Sequence, residues 1–328
     1  MNSPLTDKII VICGPTATGK TSLGISLGKK FAGEIVSIDS RQIYKGLEIG
    51  TGKQIRDTRY EIRNTAEGHW DIEDKETGDG LRIHLYDLID PDEDLNAVQY
   101  ARVAVDRVKK IWSREKLPFL VGGAGLYLEI LLGKVEVAKV PPNEDLRAEL
   151  EEYTNEELFE RLRKLDPQRA KSIDPHSPHR LIRAIEIAES EDSKKGKDAS
   201  VEILPSKLDP LWIGLNAPRS FLYQKADQRL EKMVENGLID EIASVVEKYG
   251  WEIPALDSIG YIEFKAYFGG EKSLEECLER AQYNTHAYIR RQLTWFRRNE
   301  KINWFDITEA NFDQKVEQLV ESYIERGT

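Results

Sequence analysis

Lys8 to Thr21 reads KIIVICGPTATGKT, and this stretch decides the fold. Lys8 to Cys13 is a β-branched apolar run halted by glycine, the pattern of a buried strand with a sharp stop. Gly14 to Thr21 fits G-x-x-x-x-G-K-[ST]. Gly19 to Phe31 then carries Leu23, Ile25, Leu27 and Phe31 and reads as a helix. A glycine-rich turn between a strand and a helix is the setting in which this motif cradles phosphate. Amides at a helix start point at an anion, and the helix dipole adds a favourable field. Gly14 and Gly19 let the backbone curl close to phosphate oxygens. Lys20 brings a positive charge, and Thr21 a hydroxyl for a magnesium ion.

Outward from this loop, strand and helix alternate. Glu34 to Ile38 is a second strand, Ala97 to Trp112 an amphipathic helix, Phe119 to Val121 a third strand, and Leu126 to Leu132 a short helix. The alternation predicts an α/β fold, a P-loop NTPase-like parallel sheet flanked by helices. Three stretches break the rhythm. Lys53 to Arg82 is polar and turn-rich, an excursion from the core read as a hairpin or a lid. Pro141 to Lys207 holds helical patterns (RAELEEY, EELFERLRKL, PHRLIRAIEIAES) and the solvated tract ESEDSKKGKDAS, which predicts a small inserted all-helical domain. Leu211 to Leu215 restores a strand. The rest is expected to be mostly helix: Phe221–Tyr249, Ile259–Phe268 and Ser273–Arg298. The domain reading is therefore 1–140 as the first part of the core with 53–82 as the excursion, 141–207 as the insert, and 208–328 as the core continuation.

Composition narrows the classes. Among 328 residues, 47 basic and 58 acidic side chains give a net charge of −11, and nucleic-acid binders are usually basic. Two cysteines, Cys13 and Cys277, exclude a disulfide framework and a thiolate zinc site. The longest apolar stretch, Phe119 to Leu132, is too short and too glycine-rich to span a membrane, so no membrane partner and a cytoplasmic location are expected.

The charge is unevenly spread. Arg161 to Arg183 contains seven basic and two acidic residues, and Arg280 to Lys301 six basic and one acidic. The net charge thus bounds solubility and nonspecific binding rather than partner, and leaves two basic surfaces on an acidic body.

The second strand runs into Asp39-Ser40-Arg41-Gln42-Ile43-Tyr44. In an open parallel sheet, ligands sit beyond the carboxyl ends of the strands, so Asp39 shares a crevice with the phosphate loop. There it serves either as a proton acceptor or as a turn cap. Related ATPases and GTPases hold magnesium with an acid at the end of a later strand. Here that strand ends Val121-Gly122-Gly123, which argues for a pyrophosphate cradle over nucleotide hydrolysis.

Taken in order, GPTATGKT, SIDSRQIYKGLEIGTGK, VGGAGLYLEILLG, PHRLIRAIEI, IGYIEF and YIRRQLTWFRR resemble the tRNA dimethylallyltransferases (tRNA isopentenyltransferases) from Ile10 to Arg298. The phosphate loop is generic, whereas the DSRQIY, RLIRAIEI and RQLTWFR blocks are specific. The resemblance implies transfer of a dimethylallyl group from dimethylallyl diphosphate to N6 of the adenosine at tRNA position 37, beside the anticodon, by a monomer using Mg²⁺. It implies that Lys20, Thr21 and the loop residues Gly14, Thr16, Ala17, Thr18 and Gly19 hold the diphosphate, with Thr21 on the metal. Arg219 and Arg229 match arginines of the segment that closes over the diphosphate. Asp39 would accept the proton of the adenine amine, and Asp39, Ser40, Arg41 and Gln42 would grip that adenosine. His179, Arg180 and Arg183 match the tRNA-contacting helix of the insert. Gly260, Tyr261, Arg290, Arg291, Gln292, Trp295 and Arg297 match tRNA-facing segments of the main domain.

The sequence departs from the family at four places. Ala124 stands where the family usually has an active-site threonine, with Thr16 or Thr18 as the neighbouring hydroxyls. His84 is the one histidine left of a pair and has a structural reading. Lys225 and His286 stand where arginine is frequent. Two rival acceptors are an adenine nucleotide, as in adenylate isopentenyltransferases, and a small molecule phosphorylated by ATP. A third alternative is a tRNA-binding protein inactivated by Ala124. The insert and the RQLTWFR block favour tRNA, since a free nucleotide needs neither.

Overall fold

The structure, a computed structural model, describes residues 7–53, 59–63, 72–76, 80–135, 138, 140, 142–190, 204–205 and 208–326. The opening apolar run forms β1 (Ile10–Cys13), buried throughout. Its side chains divide by the period of two: Ile9, Val11 and Cys13 enter one core cluster, Ile10 and Ile12 the cluster on the opposite face. A strand apolar on both faces belongs in the interior of a parallel sheet, and β1 pairs in parallel on both sides.

Among the described residues the sheet has eight strands in the order β3-β4-β5-β2-β6-β1-β7-β8. Six are mutually parallel: β5 (Arg82–His84), β2 (Glu34–Ile38), β6 (Pro118–Gly122), β1, β7 (Leu211–Asn216) and β8 (Ile302–Asp306). The polar excursion contributes β3 (Arg59–Arg63) and β4 (Ile72–Glu76), an antiparallel pair that extends the sheet edge beyond β5. Residues 54–58, 64–71 and 77–79 of that excursion lie outside the described residues.

Helices cover the sheet as the periodicity predicts. α1 (Lys20–Lys30) turns Leu23 and Leu27 inward, and its Gly24 lies so close to β6 that a Cβ there would stand 2.8 Å from Val121. α2 (Ala97–Ser113) opens with a capping box from Asn96 and Gln99 and buries Ala101, Ala104, Val105, Val108 and Trp112. α3 (Gly125–Leu131) follows β6 directly.

Several expectations are corrected. Strands β5 and β8 were not legible, because three and five residues with mixed polarity carry little period-two signal. Phe221–Tyr249 is helical as expected, divided between two helices.

The chain divides into two units, Met1–Lys134 with Ile203–Thr328, and Val135–Glu202. The second is built from α4 (Glu144–Glu151), α5 (Asn155–Leu165), α6 (Pro167–Ala170) and α7 (Pro178–Glu189) around Leu150, Leu158, Leu162, Leu181 and Ile185. Its limits precede the expected 141–207 at both ends. Val140 belongs to it, because its carbonyl accepts from Arg183, whereas buried Leu204 donates to the Leu131 carbonyl in the main unit. Pro141, Lys207 and most of the solvated tract, 191–200, lie outside the described residues.

In the main unit, α8 (Arg219–Glu235) and α9 (Leu238–Tyr249) break at Gly237, which adopts φ 99°. Ile259–Phe268 contains only a short 3₁₀ turn and α10 (Lys265–Phe268). α11 (Leu274–Phe296) is the long helix expected, and α12 (Phe312–Glu325) follows β8.

Candidate active site

The loop after β1 bends through Gly14 (φ 134°), Ala17 (φ 66°) and Gly19 (φ 82°). A Cβ on Gly14 would lie 2.4 Å from the Leu215 carbonyl oxygen, so only glycine fits this turn. Two donors converge on the Pro15 carbonyl: Thr18 Oγ1 at 2.8 Å and Lys20 Nζ at 2.7 Å. Thr18 is thereby committed to shaping the loop. Thr16 Oγ1 instead accepts from Arg229 Nη1 at 3.3 Å, which leaves its own proton to donate. Thr21 is half-buried at the first turn of α1.

Lys20 carries the electrostatic signature of the site. Burial pulls its ammonium down to about 8; the Asp39 carboxylate opposes that shift and the Arg229 guanidinium adds to it. Burial likewise lowers Arg229, with Asp39 and Tyr86 opposing. Loop lysine, strand-end carboxylate and α8 arginine therefore share one electrostatic neighbourhood, beyond the carboxyl ends of β1 and β2. Arg219 is exposed at the start of α8 and makes no hydrogen bond or ion pair with described residues.

Asp39 is half-buried one residue past β2, and its Oδ1 accepts from the Arg41 amide at 2.8 Å. Its cap-like bond uses one oxygen. Among described residues Asp39 makes no ion pair. Ser40 is half-buried beside it. Arg41 donates to the Pro254 carbonyl at 2.9 Å. Buried Gln42 accepts from Ser37 Oγ at 2.7 Å and donates to the Thr51 carbonyl at 3.2 Å, so it braces the segment from inside.

Sequence reasoning missed the support of this segment. Glu241 of α9 accepts from the amides of Glu48 (2.6 Å), Ile49 (2.6 Å) and Gly50 (3.0 Å), and from the Tyr261 hydroxyl at 2.8 Å. Lys53 is buried, donating to the Tyr44 carbonyl at 2.7 Å and pairing with Asp87. No local signal could reveal these bonds, because the Glu241 contacts to the Glu48, Ile49 and Gly50 amides join residues 191 to 193 positions apart.

The residues with implied RNA roles divide into two groups. Gly260 and Tyr261 are interior: Gly260 N donates to Glu263 at 2.8 Å, and the Tyr261 ring lies under the backbone of Gly50. Gln292 is also buried. Trp295 is half-buried against Gly125, where a Cβ would meet its ring at 2.3 Å. Arg290 and Arg291 are exposed on α11 and Arg297 just past its end; Arg290 donates to the Tyr223 hydroxyl at 3.1 Å. Tyr288, which sequence reasoning missed, lies one turn before Gln292. Burial pushes its hydroxyl up to about 12, with the Asp39 charge adding and Arg41 and Arg291 opposing. His286 binds Asp227 at 2.8 Å and stacks on Tyr223 with centroids 4.1 Å apart. Its imidazole thus fills the arginine position with a side chain tied to α8.

Within the helical unit, His179 and Arg180 are exposed and carry no ion pair among described residues. Arg183 is committed: it pairs with buried Glu186 and donates to the Val140 carbonyl at 2.7 Å. Arg147 binds the same carboxylate at 3.0 Å.

The IPP transferase family profile matches residues 42–299, and the isopentenyl transferase profile residues 7–67. A tRNA dimethylallyltransferase of Roseiflexus sp. (strain RS-1) is 37% identical over 97% of this chain and 99% of its own length. One from Halalkalibacterium halodurans is 35% identical, covering 95% of each chain. The crystal structure of the tRNA isopentenylpyrophosphate transferase from Bacillus halodurans superposes with a TM-score of 0.67 at 33% identity, covering 98% of both chains. A eukaryotic dimethylallyltransferase acting on tRNA gives a TM-score of 0.77 at 25% identity, over 98% of this chain and 80% of that one.

Proposed function

The chain belongs to the IPP transferase family, and from that premise we propose that it transfers the dimethylallyl group of dimethylallyl diphosphate to N6 of the adenosine at tRNA position 37, releasing diphosphate. One observation carries this reading: beyond the carboxyl ends of β1 and β2 a phosphate-loop lysine, Lys20, stands with a strand-end carboxylate, Asp39, and a second cation, Arg229, whose Nη1 donates to Thr16 of the loop at 3.3 Å.

The sheet order supports the chemistry. β6 lies between β1 and β2, so the phosphate loop and Asp39 sit two strands apart. At about 4.8 Å per strand that is a separation of about 10 Å, room for an allylic carbon between a leaving diphosphate and an incoming amine. The C–O bond to diphosphate breaks as the bond from N6 to the allylic carbon forms. Asp39 accepts the proton that N6 loses, a role worth typically ~10²–10⁴-fold in rate. Lys20, the loop amides and Arg229 stabilise the charge that grows on the leaving group. The Thr16 hydroxyl, free to donate, stands in for the threonine replaced by Ala124. The acceptor base leaves its stack to enter this crevice, as bases modified in place must.

A magnesium ion fits the donor set as a substrate-bound ion. Thr21 Oγ1 would hold it together with diphosphate oxygens and water, since magnesium is commonly held by few protein ligands plus phosphates. Among described residues no group of three His, Cys, Asp or Glu side chains forms a cage of its own. When bound, the ion supplies charge neutralisation of the departing diphosphate.

Exposed Arg291 of α11 and Arg297 just past its end, and His179 and Arg180 of α7, are the candidates for phosphate contacts with tRNA. A helical unit and this basic helix favour tRNA over a free adenine nucleotide. Gly122-Gly123 at the end of β6, in place of an acid, disfavours a small-molecule kinase. The deciding experiment incubates the protein with tRNA and labelled dimethylallyl diphosphate and analyses nucleosides by mass spectrometry. Isopentenyladenosine in tRNA is the expected result. Label found in free adenylate, or phosphate transferred from ATP, would overturn it.

A further inference from the structure

Gln292 occupies the RQLTWFR block yet does not face solvent. It is buried on the inner side of α11, between exposed Arg291 and buried Leu293. Its amide is used at both ends. Oε1 accepts from the Thr16 amide at 2.8 Å, and Nε2 donates to the Gly123 carbonyl at 3.1 Å. One side chain thus ties the loop after β1 to the turn after β6. The fit is tight: a Cβ on Gly123 would lie 2.2 Å from Nε2.

A side-chain amide suits this bridge, because it offers one acceptor and one donor side by side. A carboxylate would lack the donor, and an ammonium the acceptor. The bridge holds a main-chain N–H of the phosphate loop itself, next to the hydroxyl that accepts from Arg229. Arg291 of the same helix and Arg297 just past its end are exposed. A small shift of α11 therefore moves the phosphate loop at Thr16, since packed elements transmit displacement.

We propose that Gln292 is a positioning residue that couples RNA bound on the outer face of α11 to diphosphate held by the loop, while contacting neither. The inference rests on the functional reading above. Coupling of this kind is reciprocal: RNA tightens diphosphate binding by the factor by which diphosphate tightens RNA binding.

The test is calorimetric titration of inorganic pyrophosphate, in magnesium buffer, into the full-length protein with and without tRNA. For the unmodified protein, tRNA is expected to tighten pyrophosphate binding about tenfold. Gln292→Met removes the bridge at near-constant volume, and Gly123→Ala displaces Nε2 without altering Gln292. Each is expected to cut the factor below about twofold while tRNA affinity measured alone stays unchanged. Gly123→Ala keeps the test open if Gln292→Met misfolds. Retention of the full factor in a folded variant overturns the proposal. So does a loss of tRNA affinity alone in Gln292→Met, which would make Gln292 a direct RNA contact. A protein that prenylates tRNA but shows no coupling refutes this inference alone; one that fails to prenylate tRNA refutes the functional reading.

Discussion

Glu34 and Asp39 stand at the two ends of β2, five residues apart, and the surroundings give them opposite tasks. Glu34 begins the strand and is 2% exposed. His84 Nε2 lies 2.7 Å from its Oε2, and Arg114 holds both oxygens, at 3.1 and 2.6 Å. Burial opposes ionisation there, but the bonds from His84 and Arg114 outweigh it and keep the carboxyl down at about 2. Asp39 follows the strand, half-buried, with a single backbone donor and no ion pair among described residues. At the amino edge of the sheet a carboxylate is locked into the frame. At the carboxyl edge one is left without an ion pair among described residues, where the loops of an α/β sheet receive ligands.

The largest expected effect breaks this contrast at its functional end. Asp39→Ala should lower the transfer rate by ~10²–10⁴-fold, with melting temperature and tRNA affinity little changed. Single-turnover measurements with labelled dimethylallyl diphosphate would check it, and full activity would remove Asp39 from the chemistry. Glu34→Gln should do the reverse, losing stability while the folded enzyme turns over normally. A carboxyl held at about 2 when its unfolded value is near 4.3 contributes about 3 kcal/mol at neutral pH, somewhat less because Arg114 is partly exposed. The sign follows from the depressed value: this stability is present above about pH 4.3 and is lost as pH falls toward about 2. Thermal melts of both proteins across that range should converge at the acid end.

The two ends of β2 also show what sequence could disclose. KIIVICGPTATGKT fixed strand, loop and helix at once, because the motif and its flanks are local. Asp39 was legible as a candidate from strand position alone. The partners of Glu34 were not: His84 and Arg114 are 50 and 80 residues away, and nothing in RIH or in a helix end announces them. The same holds for Glu241 beneath Gly50 and for Gln292 beneath the phosphate loop. The block holding Gln292 was recognisable and Glu241 lay in an expected helix, but which side chain turns inward is settled only by the packing of distant elements. Charge counts mislead for a related reason. Arg161 binds Glu149 and Glu189, and Arg183 binds Glu186, so part of the basic stretch from Arg161 to Arg183 is spent inside the helical unit.

A third expectation sharpens the contrast through the cation that faces Asp39. In the free protein Lys20 titrates at about 8, and an anion bound in the loop favours its charged form. Pyrophosphate affinity should therefore hold below that value and fall as pH rises through it, by roughly tenfold per unit where only the protonated form binds. Lys20→Arg, which stays charged, should flatten the profile even if it binds more weakly. A profile flat across about pH 8 in the unmodified protein would show that Lys20 does not govern diphosphate binding.

The smallest effect asks whether the division between locked and available charges recurs in α7. Arg180 and Arg183 lie one turn apart, yet only Arg183 is held by a buried carboxylate. Arg180→Ala should leave the melting temperature unchanged and weaken tRNA binding a few-fold, lowering the slope of log affinity against log salt by about one. Arg183→Ala should destabilise the helical unit, because Glu186 then keeps only Arg147 and the Asn143 amide as partners for a buried charge. Filter binding across a salt series, alongside melting curves, separates the two. If Arg183→Ala instead changes the salt slope with no loss of stability, Arg183 leaves Glu186 to meet the RNA, and the same surroundings that lock a charge in the free protein would then release it on binding.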